Sequence, residues 1–372
     1  MMNRPNPFRR IPAVLRGFCF KQWFLLIWNI MLLLAMAASL FGVRRMSHTL
    51  ESLTAAGRFG GESEIRFAQL ACYLPVDQGK KLEDIYTFRQ SLEAKLVEQS
   101  LDAPENGSLT IDAYSATASV TVRSDSGGSA TVKAVGVGGD FFYFHPLFLR
   151  SGSYIRDDDL MDDLVVLDEE TAWRLFGGTE LAGLSMTIND QPFVVAGVIA
   201  REDDFASRRA YSGDGGVFLS FSALSRLNED ITITSYELVM PDPITGYAKS
   251  VVQDTFPIGD GDVVENSSRY SLSHLLEVAG SFGERSMRTN GVIYPYWENA
   301  ARLTEDYAAL LLVLSALFAL WPLLSALVIA IRYIRRTYRY VKVTVPVKVD
   351  EAMEKRKEER LEREYEKKAK GE

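Results

Sequence analysis

Two apolar stretches, residues 23–43 and 307–331, contain no Asp, Glu, Lys or Arg, and the roughly 260 residues between them contain no third such run. About 20 helical residues at roughly 1.5 Å rise cross a hydrocarbon core about 30 Å thick, so each stretch is long enough to span a bilayer. A chain with this layout folds as a helical hairpin through a membrane with one large domain between its arms. A cleaved signal peptide fits the first stretch poorly, because it exceeds the usual 7–15-residue apolar region and Arg44 and Arg45 follow it directly.

Basic residues beside short spans mark the cytoplasmic side. Arg4, Arg9, Arg10, Arg16 and Lys21 precede the first stretch with no acidic residue, and Arg332, Arg335, Arg336, Arg339, Lys342 and Lys348 follow the second with none before Asp350. Both termini are therefore expected in the cytoplasm, the chain in the cell (plasma or inner) membrane, and residues 44–306 outside. Once the flanks and the tail are removed, the external part holds 22 basic against 40 acidic residues, a net charge of about −18. Such a surface favours solubility and repels nucleic acid. The two cysteines, Cys19 and Cys72, fall on opposite sides of the membrane in this topology and cannot pair. Cys72 sits in an apolar run and reads as a buried small hydrophobe.

The expected organisation is a cytoplasmic amphipathic and basic segment at 1–22, a first span at 23–43, an extracytoplasmic domain at 44–306, a second span at 307–331, and a basic strand with a charged helical tail at 332–372. In the first segment Phe8, Ile11, Val14, Leu15 and Phe18 recur at helical spacing among arginines, as in a helix lying on a membrane surface. Asn29, an amide inside the first span, is expected to face another helix. Within the external domain, 65–73 alternates as a strand, Leu82, Ile85, Phe88, Leu92 and Leu96 form a helical stripe, and 109–122 returns to strand composition after a turn at 104–107. A second β-α-β unit lies far downstream, with strands at 235–240 and 261–265 around a helix near 244–256. The fold class expected is a membrane protein whose two transmembrane helices flank an α+β domain. A split β-α-β, porter-like subdomain (44–129 and 225–270) receives an inserted, mostly β subdomain (130–224), and a stalk-like helical connector (271–306) leads to the second span. Strands are expected in the insert at 131–137, 164–167, 185–188, 193–199 and 216–219, with a hairpin closing at Asn189-Asp190-Gln191 and a short helix at 169–176 stopped by Gly177-Gly178.

Beyond the second span, Val341, Val343, Val345, Val347 and Val349 alternate with polar residues and Pro346, which predicts a short edge strand. Glutamates four residues ahead of basic ones at Glu351/Lys355, Glu359/Arg363 and Glu364/Lys368 predict a solvated helix after it.

The insert carries the most specific pattern: V-K-A-V-G-V-G-G-D-F-F from Val132, G-S-Y-I-R-D-D-D-L from Gly152, V-V-L-D-E-E-T-A-W-R-L-F-G-G from Val165, and P-F-V-V-A-G-V-I-A from Pro192. This order of blocks resembles the extracytoplasmic core domain of MacB/FtsX-type ABC transporter permeases. The chain departs from the pattern at Ser153-Tyr154, where the family usually has an arginine, and at Ala196-Gly197. Gly136, Gly138, Gly139 and Gly152 read as backbone turns, and Phe141, Phe142, Leu175 and Phe176 as core anchors.

The resemblance implies a permease-like, non-catalytic subunit of an ABC-type export or mechanotransmission complex. One span follows the domain here, where the family has three, so the expected partners are an ABC ATPase subunit and a four-span permease in trans, alongside the bilayer and a homo- or hetero-oligomer. The alternative is a membrane-anchored sensor or scaffold that binds cell-envelope components.

No enzyme chemistry is expected, and no catalytic, cofactor-binding or metal-binding residue is assigned. A G-x-x-x-x-G-K-[ST] loop does not occur. His274 and Glu277 have H-x-x-E spacing without a second histidine, and Ser185 in G-L-S-M-T lacks the second glycine of a nucleophile elbow. The acidic runs Asp157-Asp158-Asp159 with Asp162-Asp163, and Glu202-Asp203-Asp204, do not match the twelve-residue calcium loop and read as exposed loops.

Overall fold

A computed structural model of the protein describes residues 20–369, apart from 64, 100, 102–107, 126, 160, 212–215, 284, 286, 287 and 289. The amphipathic segment 8–18, Cys19 and the turn at 104–107 lie outside the described residues. The chain divides into two units, one of residues 41–312 and one of residues 1–40 with 313–372.

In chain order the elements of the first unit are the end of α1 (Phe20–Met46), α2 (Ala55–Gly60), β1 (Phe67–Tyr73), α3 (Leu82–Glu98), β2 (Ile111–Ser124), β3 (Ser129–Gly139), α4 (Phe141–Phe144), β4 (Leu149–Gly152), β5 (Leu164–Asp168), α5 (Glu169–Phe176), β6 (Ser185–Ile188), β7 (Gln191–Ile199), α6 (Phe205–Ala210), β8 (Gly216–Ser220), α7 (Phe221–Leu227), β9 (Ser235–Pro241), α8 (Tyr247–Thr255), β10 (Asp262–Glu265), α9 (Leu272–Gly280) and the start of α10 (Tyr296–Ala369).

The ten strands among the described residues share one sheet, ordered β10-β1-β9-β2-β3-β8-β5-β7-β4, with β6 paired to β2 and β7. Strand β1 lies antiparallel between β9 and β10, and β9 lies antiparallel between β1 and β2. The two β-α-β units, β1-α3-β2 and β9-α8-β10, are thus interleaved, the strand order of a ferredoxin-like split pair. Both crossover helices cover the same side. Ile85, Phe88, Leu92 and Leu96 of α3 form one buried stripe, as their spacing predicts, and Phe88 packs on Phe256 at 4.8 Å and on Tyr236 at 5.5 Å. Strand β1 is buried on both faces by its period of two. Leu70 and Cys72 enter the core under α3, whereas Ala71 and Tyr73 meet Val292 and Tyr294 on the other side. Cys72 is the small hydrophobe its context predicts, and burial pushes its thiol up to about 12.

The long strand β2 joins the halves of the sheet. Its first residues, Ile111 to Ser115, pair with β9, Ala113 to Arg123 pair with β3, and Val122 to Ser124 pair with β6. The β6–β7 hairpin closes through Asn189 (φ 47°) and Asp190 (φ 64°), a two-residue turn in which both positions are left-handed. Asp168 caps α5 by accepting from the Thr171 amide at 2.7 Å, and Gly177 ends it with φ 73°. Two family-pattern glycines are forced by space: a Cβ on Gly138 would stand 2.1 Å from the Tyr114 ring, and one on Gly152 (φ 76°) would stand 2.0 Å from the Ala196 carbonyl oxygen. Phe141 and Leu175 are buried, and Phe142 and Phe176 are packed against the two core clusters.

Among the described residues, α1 and α10 are the two helices long and apolar enough to cross a membrane. Asn29 faces the other helix as expected: its Oδ1 accepts from the Ser325 hydroxyl at 2.7 Å, and its Nδ2 donates to the Leu25 carbonyl. The strand expected at 341–349 is not formed. These residues continue α10, with Pro322 and Pro346 inside it. A lone strand has no ladder to satisfy its backbone, whereas extending a helix already nucleated fixes one residue per hydrogen bond gained.

Candidate functional site

The best-organised polar cluster of the first unit is built where the domain hands over to α10. Glu298, Arg302 and Glu305 fall four and three residues apart and so share one face of the helix. That face is turned into the domain rather than to water, with Glu298 1 % and Glu305 0 % exposed. Buried carboxylates need partners, and loop residues supply them.

Arg269, itself 1 % exposed, is the hub. It follows the short 3₁₀ turn Asn266–Ser268 and donates from Nε to Asn266 Oδ1 at 2.7 Å, from one terminal nitrogen to Glu305 at 2.8 Å, and from the other to Glu298. Arg285 donates to the second oxygen of Glu305 and lies 3.4 Å from Asp306. Arg302 closes the other side, donating to Glu298 at 2.6 Å and to the Arg285 carbonyl at 3.0 Å, with its guanidinium 3.7 Å over the Tyr294 ring. Tyr73 of β1 donates its hydroxyl to Glu298 at 3.1 Å, and Tyr294 donates to Asp262 of β10. The sheet is thereby tied to the root of α10. Burial alone would raise the Glu305 carboxyl, but the Arg269 guanidinium, with His274 and Arg285, holds it down at about 2. Burial raises Asp306, which Arg285 offsets only in part. With its carboxylates and guanidiniums paired inside the domain, the cluster acts as a clasp.

Beside it the first turn of α10 is wedged into aromatic packing. Trp297 lies 5.6 Å from Phe141 and 4.7 Å from His145, and Tyr296 stacks on Tyr211 at 4.3 Å. His145 meets Glu237 at 2.5 Å, both buried. Glu202 accepts from the Tyr211 hydroxyl at 2.8 Å, and burial raises its carboxyl above the usual range. A cavity of about 600 Å³ opens between this segment and the sheet. Its walls are Ser115, Thr117 and Ser119 of β2, Lys133 and Val135 of β3, Phe218 of β8, Asp168 and Arg201 from the β5 and β7 ends, and Tyr294, Tyr296, Trp297 and Asn299.

The residues weighed from sequence do not converge. His274 faces Glu305 at 3.6 Å while Glu277 is exposed. Ser185 is an exposed strand residue. The acidic runs are structural in part: Asp204 caps α6, Asp159 caps the Arg156 amide, and Asp162 holds Arg226 and Ser220. Among the described residues no three His, Cys, Asp or Glu are grouped to hold a metal. Sequence reading missed the clasp: the charged face 298–302–305 is visible before the apolar stretch, but its partners Arg269 and Arg285 come from loops that no pattern marks.

Residues 30–245, more than half of the chain, match the model of the MacB-like periplasmic core domain. The chain belongs to that family. Flanked by its two apolar helices, the MacB-like domain is the extracytoplasmic part of a membrane protein. Solved structures similar to it include the extracellular domain of the noncanonic ABC-type transporter YknZ from Gram-positive bacteria, at 18 % identity over 50 % of this chain and 88 % of that one, with a TM-score of 0.35. Another is the periplasmic region of MacB from Actinobacillus actinomycetemcomitans, at 17 % identity over 54 % and 89 %, with a TM-score of 0.37. Among curated proteins no relative matches the sequence. The sequence match alone carries the assignment of the MacB-like domain.

Proposed function

We propose that this protein is a permease-like, non-catalytic subunit of an ABC-type export or mechanotransmission assembly, relaying movement between a cytoplasmic ATPase and its extracytoplasmic domain. The observation that carries this reading is the clasp. Arg269, Arg285 and Tyr73 bind three turns of a helix that continues without interruption into the apolar stretch 307–331. A helix held by buried ion pairs transmits displacement, because the pairs have one satisfied geometry and a high cost of partial separation. Family membership supports an ATPase partner, and the flanking arginines support cytoplasmic termini. The division into a split subdomain (44–129 and 225–270), an insert (130–224) and a connector (271–306) is part of the same proposal, with β2 as the seam. The Arg332, Arg335, Arg336 and Arg339 cluster is the cytoplasmic contact.

Affinity purification of the full chain from its own membranes in mild detergent tests the proposal. Co-purification of an ABC ATPase, reduced when Arg335, Arg336 and Arg339 are changed to Glu, is the expected result. A stable protein that captures neither an ABC ATPase nor a four-span permease would refute it.

The cavity favours a second reading, a membrane-anchored sensor or scaffold for envelope components. Its volume lies within the range of small-ligand sites, and it borders the first turn of α10. A ligand-dependent rise in thermal midpoint, abolished by Ser119→Trp, would support that role.

A further inference from the structure

Helix α9 has an apolar sector wider than the protein covers. At 100° per residue Val278, Leu275, Ala279, Leu272 and Leu276 occupy one continuous arc of roughly 160°, and Ser273, Glu277 and Gly280 occupy the opposite side. Leu275 and Val278, at one edge of the arc, are buried against Ala308, Ala309 and Leu312 of α10 and Val43 and Met46 of α1. Leu272 and Leu276, at the other edge, are 63 % and 57 % exposed, and Phe282 beyond the helix end is 54 % exposed. Ser273 and Glu277 are exposed on the polar side.

What covers the leucine edge follows from where the helix sits. Ala308, Ala309 and Leu312 lie inside the apolar stretch 307–331, and Val43 is the last residue of the stretch 23–43. The 25 residues of the second stretch extend about 37 Å as a helix against a hydrocarbon core of about 30 Å, so its first turn lies at the boundary between acyl chains and headgroups. Any element packed on that turn shares its depth. Glu305 and Asp306, directly before the stretch, are bound by Arg269 and Arg285, and His274 faces Glu305. Helix α9 thus packs on end residues of both apolar stretches and presents beside them an uncharged edge of Leu272, Leu276 and Phe282.

We infer that α9 is an interfacial helix, lying in the outer leaflet with Leu272, Leu276 and Phe282 in the acyl boundary and Ser273 and Glu277 toward water. The bilayer surface is then a third attachment of the domain, beside the two spans, and it reaches the clasp through Arg269 and His274. This placement rests on the two spans and is independent of the relay.

Fluorescence quenching in the full chain tests it. In a Cys19→Ser background, with Cys72 buried, single cysteines at Leu272, Leu276, Glu277 and Leu317 are labelled with an environment-sensitive dye. The protein is then reconstituted into phosphatidylcholine vesicles with or without brominated acyl chains. Labels at Leu272 and Leu276 are expected to be quenched at least twofold more than the label at Glu277, approaching the label at Leu317 within the span. Equal, weak quenching at Leu272, Leu276 and Glu277 would overturn the inference. So would labels at Leu272 and Leu276 that are shielded from aqueous iodide yet untouched by brominated lipid, which would mark a protein interface. An unquenched label at Leu317 would overturn the span assignment and the placement of α9 with it.

Discussion

Replacing Arg269 by Met removes the hub of the clasp while keeping much of its side-chain volume. Glu298 keeps Arg302 and Tyr73, and Glu305 keeps Arg285, but each loses the partner that compensates it most deeply in the core. Breaking a fully buried pair costs about 3–5 kcal/mol, because a charge is left where water cannot reach it. For a domain of this size each kcal/mol moves the midpoint by roughly 2–4 °C, so Arg269→Met should lower it by roughly 10 °C. Tryptophan fluorescence of the full chain in detergent, read at one scan rate, measures it. Adding Glu305→Gln removes the stranded carboxylate and should recover at least half of the loss, since Arg285 retains Asp306. The pH dependence supplies an independent sign. In the wild type Glu305 is held at about 2, below its unfolded value, so its contribution is complete above about pH 4.5 and drains away as pH falls toward 2. In Arg269→Met the largest lowering influence is lost and that carboxyl rises, so the variant should lose less stability than wild type as pH falls from about 4.5 toward 2. A midpoint within 2 °C of wild type, or a double variant less stable than the single, would refute the role of Arg269.

Further perturbations read other parts of the structure. Cysteines at Asn29 and Ser325, in the Cys19→Ser background, should form an intramolecular disulfide in native membranes on mild oxidation; no cross-link would mean that the two helices do not meet there. Gly152→Ala must hold φ 76° with its Cβ against the Ala196 carbonyl, a cost of about 2–5 kcal/mol, and should abolish accumulation of folded protein in a protease-resistance assay. Phe88→Ala opens a cavity between Tyr236 and Phe256 and should cost about 3–5 kcal/mol in denaturant titration. Glu202 binds its proton more tightly folded than unfolded, so its ionised form opposes folding as pH rises. Glu202→Gln should therefore stabilise at pH 8 more than at pH 5, and a uniform shift would count against its raised carboxyl.

Elements whose stability is local could be read from the sequence. The α3 stripe buries the residues its spacing selects, Asn189-Asp190 closes the hairpin, and Gly177 ends α5 because only the chain's own backbone and immediate neighbours decide those outcomes. The valine segment 341–349 failed by the same logic. Period two describes a strand only if a ladder exists to receive it, and the preceding helix supplied a cheaper continuation. The clasp was illegible for a different reason. Its helix face at 298–302–305 resembles any solvated charged face until Arg269 and Arg285 arrive from loops that no periodicity marks. The interleaving of β1 between β9 and β10 was likewise beyond reach, since spacing along the chain says nothing of which strand lies next to which.

That interleaving dictates an order of assembly. Strand β1 is made long before both of its neighbours, β9 and β10, which belong to the last third of the domain, from Ser235 to Glu265. Until they are translated, Phe67–Tyr73 has two open edges and an apolar face without its cover, and closing so long a loop is slow. During export through the membrane this segment waits as an unpaired, aggregation-prone strand, and the domain completes only when the second span is about to enter the bilayer. Native folding and insertion of the second helix are thus nearly simultaneous events, and destabilising substitutions in β9 or β10 should appear first as failures of biogenesis, before any loss of activity in the mature protein.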